Sequence, residues 1–316
     1  MPKISIITTT YKHEKFISQT IESILNQTFT DWELLIGDDS ANNETWNIVQ
    51  KYMNNFPDKI KAWHNSPNKG LVDNMNFLIS QSSSESKYIA FLEGDDLYTM
   101  DNLEKKLKVF QTYPEVAMVY NNLDFIDGDG KIIDKNFLKN APFYLKNEKL
   151  TKEQFIKYDI LYGSFSTLMF KKDILLKEKI INSTSDKLYS VSDWDLFFRI
   201  STKYNCYGIE DSMTLYRRHN GNLTLNNERI VNDFIIYLEN FMDIEKTSSY
   251  YYKLYNFKTY INYLNFNRFK TIYFGIISFK YSFKNNYIQR LGMIFLSFLP
   301  RNVNIYIYNK NKHKYF

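Results

Sequence analysis

Lys87-Tyr88-Ile89-Ala90-Phe91-Leu92-Glu93-Gly94-Asp95-Asp96 is a short apolar run that ends in three carboxylates within four residues. The run reads as a buried strand. Strand ends in open α/β sheets are where ligands bind, because the loops there face a crevice. Clustered carboxylates repel one another, so a fold that keeps them together tends to hold a cation among them. Oxygen ligands suit a hard ion, Mg²⁺ or Mn²⁺, shared with substrate phosphates. The plainer reading of the same residues is an acidic surface turn bent at Gly94.

Upstream, strands and helices alternate. Ile4-Ser5-Ile6-Ile7-Thr8-Thr9-Thr10 is a β-branched run, and Phe16, Ile17, Thr20, Ile21, Ile24 and Leu25 follow at helical spacing. Trp32 to Gly37 reads as a second strand, ending in Asp38-Asp39-Ser40. A helix over Glu44 to Asn54, a strand near Ile60 to Trp63, a turn at Asn68-Lys69-Gly70 and a helix from Val72 to Ser80 complete the set. This alternation predicts an α/β fold with a mostly parallel, Rossmann-like sheet flanked by helices. Two of its strands end in paired aspartates, which solubility does not explain. The turn Thr8 to His13 lacks G-x-G-x-x-G, and no P-loop is present.

Composition sets the outer limits. The chain has 316 residues, 44% of them hydrophobic and 17% aromatic. That is enough for one large domain, or one domain with an appendage. A single cysteine, Cys206, excludes an intramolecular disulfide framework and fits a reducing compartment. Met1-Pro2-Lys3 leads straight into a strand without a signal-peptide layout, and no apolar window reaches transmembrane length. The expected location is therefore cytoplasmic, or peripheral on the inner face of the cell membrane. Charge is uneven: 12 of the 40 Lys and Arg follow Glu245, where no Asp or Glu remains, so the preceding residues carry 28 cations against 35 acids. An acidic body opposes a phosphate backbone, which argues against nucleic acid.

The chain resembles glycosyltransferase family 2. The likeness lies in Ile6 to Tyr11, Ser23 to Thr28, Leu35 to Ser40, Asn68-Lys69-Gly70, Phe91 to Asp96, Ser192-Asp193-Trp194-Asp195-Leu196 and Tyr216 to Thr224, in the family's order. It implies a GT-A fold and inverting sugar transfer from a nucleotide-diphosphate donor, in bacterial surface-polysaccharide synthesis. The expected division is a catalytic domain over residues 1–225 and a basic, aromatic, mainly helical region over 226–316.

Residue types support roles within that frame. Tyr11 offers a ring to stack on a base, and Thr9 offers a hydrogen bond to base or ribose. Asp39 would accept from the imide N–H of uracil, with thymine, and so dTDP, presenting the same edge. Alternatively Tyr11 is a packed aromatic and Asp39 an N-cap or Asx turn. The resemblance makes Glu93-Gly94-Asp95-Asp96 the Asp-x-Asp motif, with Asp96 or Asp95 as direct ligand and Glu93 in place of the commoner first Asp. Lys69 or His13 could add positive charge beside the phosphates, although for Lys69 the solvated reading is favoured. In Tyr-Arg-Arg-His, His219 or an Arg could reach the diphosphate or metal.

Asp193 is the expected base, taking the acceptor hydroxyl's proton as its oxygen attacks. The usual acidic neighbour before it is here Ser192. Trp194, Leu196, Phe197 and Ile200 read as core, and Gly163-Ser164-Phe165-Ser166 resembles the family's acceptor-side segment. The expected partners are a UDP-sugar donor and a glycan or lipid-linked acceptor. The tail stripe Phe274, Ile277, Phe279, Phe283, Ile288 and Leu291 suits either an anionic membrane or protein packing, and self-association is open. A nucleotidyltransferase would need a Gly- and Arg-rich loop that Thr8 to His13 does not provide. A catalytically silent GT-A scaffold is the alternative outside enzymes.

Overall fold

The computed structural model describes residues 3–135, 137, 145–157, 164–180, 191–222, 227–240, 246, 248–264 and 268–281. The chain divides into two compact units, Met1–Thr151 with Ile160–Asn222, and Lys152–Asp159 with Leu223–Phe316.

The first unit begins with the expected alternation: β1 (Ile4–Thr10), α1 (Ile17–Leu25), β2 (Trp32–Asp38), α2 (Glu44–Asn55), β3 (Ile60–His64), α3 (Leu71–Ser80) and β4 (Tyr88–Phe91). β1 and β2 are buried along their whole length. That is what near-continuous β-branched and aliphatic runs form when helices cover both faces of a sheet. α1 buries Ile17, Thr20, Ile21 and Ile24, a stripe at helical spacing, against Ile4, Ile6, Leu34, Ile36 and Ala90.

The remaining elements are β5 (Leu97–Tyr98), α4 (Asn102–Thr112), β6 (Met118–Ile126), β7 (Ile132–Asp134), β8 (Lys146–Glu148), β9 (Leu168–Lys171), α6 (Lys172–Glu178), α7 (Ser192–Lys203) and β10 (Cys206–Arg217), with α5 (Lys152–Lys157) belonging to the second unit. The sheet order is β3-β2-β1-β4-β9-β6-β10-β5, with β7 on β6 and β8 on β10. β3, β2, β1 and β4 run parallel. β9 is antiparallel to both β4 and β6, so β6 and its parallel partner β10 point the same way as β4. The sheet is thus mostly parallel, and the carboxyl ends of β1, β2, β4 and β10 share one edge. Register shifts in β10 between Ile209 and Ser212, and between Ser212 and Thr214, offset the strand before its last residues reach that edge. Cys206 is buried at its start, as a small packed residue.

The second unit is helical where described, with α8 (Asn227–Asn240), α9 (Ser248–Leu264) and α10 (Arg268–Tyr281), and α5 packs on α9. Phe274, in the stripe read as suiting either a membrane or protein packing, stacks on Tyr255 at 6.1 Å. The expected stripe beyond Tyr281, from Phe283 to Leu299, lies outside the described residues, as does Gly163.

Candidate functional site

The carboxyl edge is held open by one glycine. Leu92 N–H donates to Ile7 O and Gly94 N–H to Thr9 O, so the Glu93–Asp96 loop runs tight against the end of β1. A Cβ on Gly94 would lie 2.7 Å from Thr10 Cβ and 3.0 Å from His13 Nδ1. No side chain fits there without moving β1 or His13.

Three groups converge on one oxygen, Asp95 Oδ2. His219 Nε2 lies 2.9 Å from it, Asn222 Nδ2 donates at 3.3 Å, and His13 Nε2 is 3.7 Å away. Ligand atoms of His13, Asp95 and His219 lie within 4.8 Å of one another. Gly221 N–H donates to His219 Nδ1, which leaves that ring's proton on Nε2, and Asn222 Oδ1 accepts from His219 N–H. Burial lowers the His13 pKa, and His13 Nδ1 has no hydrogen-bond partner. Burial opposes ionisation of Asp95, but the His219 hydrogen bond and the nearby His13 hold its carboxyl below the usual range.

Asp96 is used differently. Its Oδ2 accepts from Ser166 Oγ at 2.6 Å and its Oδ1 from Arg217 N–H at 2.9 Å. Ser166 Oγ also accepts from Glu93 N–H, which links the strand-end loop to the turn before β9. Both Asp96 oxygens are therefore engaged by protein, outside the His13–Asp95–His219 cluster. Burial and the neighbouring Asp95 push the Asp96 carboxyl well above its ordinary range. Burial, then Asp96, Asp95 and Asp193, does the same to Glu93.

Arg217, fully buried, is turned to the protein and not to a diphosphate. Its Nε donates to Asp95 O at 2.8 Å, one terminal nitrogen to the carbonyls of Asp127 and Gly128, and the other to Gln19 Oε1. The guanidinium sits 4.9 Å from the Phe16 ring centre. One side chain thus ties the β4 loop, the turn after β6 and α1 together, which a planar five-donor fork can do and an ammonium cannot.

At the neighbouring strand end, Asp38 is turned inward. Its Oδ1 accepts from Ser40 N–H and Oγ, and burial raises its pKa. Asp39 Oδ1 accepts from Asn65 Nδ2 at 2.8 Å and from Lys69 N–H at 3.2 Å. Asn65 also donates to Asn74 Oδ1, and Lys69 Nζ donates to Asn65 Oδ1. Lys69, expected as a solvated side chain, is exposed but anchored at both its backbone and its amine. Gly37 makes room for this network, because a Cβ there would meet Asn74 Oδ1 at 2.0 Å. Thr9 is buried at the end of β1, while Tyr11 is 47% exposed just beyond it.

Asp193 lies in the first turn of α7, half-buried, and its Oδ1 accepts from Trp194 N–H. Its charge acts on Glu93, so α7 brings it to the acidic loop. Trp194, Leu196, Phe197 and Ile200 are buried, as their spacing predicts. The structure thus gathers Glu93, Asp95, His219 and Asp193 at one edge, with Thr9, Tyr11, Asp39 and Lys69 at the adjoining strand ends. Asn65 carried no sequence signal, and Ser166 and Asn222, though inside segments that carry the family likeness, had no role of their own there, since single Asn and Ser residues mark turns everywhere.

The model of the Glycosyl transferase family 2 matches residues 5–177. EpsE of Bacillus subtilis, assigned as a glycosyltransferase, is 33% identical over 41% of this chain. The UDP-Glc:alpha-D-GlcNAc-diphosphoundecaprenol beta-1,3-glucosyltransferase WfgD of Escherichia coli is 30% identical over 49% of this chain. The matches span 46% and 55% of those two proteins. Among solved structures, S. aureus TarS residues 1–349 in complex with UDP-GlcNAc superposes with a TM-score of 0.59 at 17% identity, covering 87% of this chain and 80% of that one. That likeness is one of fold, the GT-A arrangement.

Proposed function

The chain belongs to glycosyl transferase family 2, and from that premise we propose that it moves a sugar, with inversion, from a UDP-sugar to the hydroxyl of a glycan or lipid-linked acceptor in surface polysaccharide synthesis. The convergence of His13, Asp95 and His219 carries this reading. Two imidazoles beside a carboxylate suit Mn²⁺ better than Mg²⁺, which prefers oxygen alone. The three converging ligand atoms, with the Glu93 carboxyl crowded by Asp96 and Asp95 beside them, fit a resident cation there. Asp95 and His219 would hold it, with His13 beside them, and ligation through His219 Nε2 would need that ring's proton on Nδ1 and so the release of the Gly221 N–H bond. Bound, such an ion neutralises charge on a diphosphate leaving group.

The other roles belong to the chain's own residues. Asp39, with Oδ1 already filled, offers its other oxygen to the imide N–H of uracil, and exposed Tyr11 offers its ring to the base. Thr9 and Lys69 complete the nucleotide side. Asp193 accepts the acceptor's proton as oxygen attacks the anomeric carbon opposite the departing diphosphate. WfgD acts on a diphosphoundecaprenol acceptor. An acceptor of that kind puts the reaction at the inner face of the cell membrane.

Calorimetry of UDP with and without Mn²⁺ tests the donor site: binding should tighten at least about tenfold with the ion. Equal binding, or none, would leave the silent scaffold as the better reading. Asp193→Asn should lower turnover about 10²- to 10⁴-fold with UDP affinity unchanged. Retained turnover removes Asp193 as the base.

A further inference from the structure

Helix α10 is built inside out. Thr271 and Ser278 are 0% exposed and Gly275 is buried between them, so a row of small residues forms its inner face. Phe269, Tyr273 and Ile276 are 84%, 60% and 60% exposed. Both sets have the spacing i, i+4, i+7, and at about 100° per residue they lie on opposite sides of the helix. A helix that packs on a core beneath water shows the reverse order.

Small residues let two helix backbones approach closely, and α10 packs along α9. Ser278 Oγ donates to Gly275 O, so the inner hydroxyl is satisfied within the helix. Phe274 packs on Tyr255 of α9, while Phe269, Tyr273 and Ile276 are left outside, which is the arrangement of a helix that faces lipid. α10 has 14 residues, fewer than a bilayer crossing needs. No helix among the described residues is long and apolar enough to cross a membrane. A lipid contact here is therefore made along the surface.

Charge identifies the lipid. No Asp or Glu occurs after Glu245, and α10 itself carries Arg268, Lys270 and Lys280. Lys270 is exposed beside Phe269. An apolar row beside cations, on a segment free of carboxylates, matches an anionic bilayer, where the rings insert at headgroup depth and the cations meet lipid phosphates.

We propose that the Phe269–Tyr273–Ile276 face of α10 docks on an anionic lipid bilayer surface. The proposal deepens the reading of a lipid-linked acceptor and rests on it for its purpose. Its test, however, reads vesicle binding and needs no sugar transfer.

The full chain should float with vesicles of equal parts phosphatidylcholine and phosphatidylglycerol, and not with phosphatidylcholine alone. Combining Phe269→Ser, Tyr273→Ser and Ile276→Ser should cut the bound fraction about tenfold. Arg268→Glu with Lys270→Glu should lower it several-fold and flatten its salt dependence. Circular dichroism and UDP affinity should be unchanged in both variants, which separates lost docking from lost folding and from failure of the donor site. Three results would overturn the proposal: no flotation of the full chain, undiminished flotation of the triple variant, or a wild-type dimer that the triple variant dissociates without any vesicle binding.

Discussion

Two strand ends of this protein each carry a pair of aspartates, and within each pair the two residues do opposite work. At the end of β2, Asp38 is folded back onto Ser40, while Asp39 is held by Asn65 and Lys69 with one oxygen left over. After β4 the order is reversed: Asp95 gathers His13, His219 and Asn222, and Asp96 is consumed by Ser166 and Arg217. Within each pair only one carboxylate is turned to the crevice. Which one depends on where the strand stops. β2 continues through Asp38, whereas β4 stops at Phe91 and a loop carries Asp95 round the end of β1.

Substitutions can break that contrast. The largest expected effect is at Asp95: Asp95→Asn should remove the Mn²⁺ dependence of UDP binding and lower turnover by at least about 10²-fold, with little change in thermal stability. Asp96→Ala should do the opposite at the level of the fold. It strands the Arg217 N–H and the Ser166 hydroxyl, which costs about 2–3 kcal/mol in denaturant unfolding. Should Asp96→Ala instead spare stability while Asp95→Asn destabilises, the assignment of the two would have to be exchanged.

The β2 pair predicts a change in base preference. Because Asn65 and Lys69 hold Asp39 Oδ1 as an acceptor, Asp39→Asn must direct its amide N–H₂ at the ligand. UDP affinity should fall about tenfold, and CDP, whose base accepts at that position, should gain. Asp38→Asn should leave both nucleotides within about twofold, since Oδ1 still serves Ser40 and the replaced Oδ2, 3.8 Å from His64 Nε2, accepts no hydrogen bond. Titration with UDP and CDP on the two variants decides it.

The smallest effect sharpens the difference between a buried charge with partners and one without. Lys106 is fully buried over the Tyr98 ring, its amine has no hydrogen-bond partner, and burial lowers its pKa well below the ordinary value. Between that lowered value and about 10.5 the unfolded chain binds the extra proton, so stability should rise with pH across this window. Lys106→Met should remove the slope and stabilise the fold by about 1–2 kcal/mol at neutral pH, as thermal unfolding at pH 7 and pH 10 would show.

Much of this was legible in the chain. The β-branched run Ile4 to Thr10 and the stripe Ile17, Thr20, Ile21 and Ile24 state their periods locally, so strand and helix could be read without neighbours. The acidic strand ends could be read as site because carboxylates are too costly to cluster idly. Arg217 could not be: in sequence it is one of two adjacent arginines, and its importance comes from five contacts to segments as far away as Gln19. Nor could the outward face of α10, since a segment apolar all round does not reveal which side a neighbour will cover.

The sequence by itself thus determined the elements, their alternation, the acidic ends of two strands and the carboxylate-free tail, because each is written in the order of nearby side chains. The tertiary structure decided which aspartate of each pair is free, that His13 and His219 meet at Asp95, and that α10 turns its rings outward. Those depend on strand register, on the antiparallel insertion of β9, and on close packing between segments far apart along the chain. No local pattern encodes them, because each contact is fixed by both partners at once.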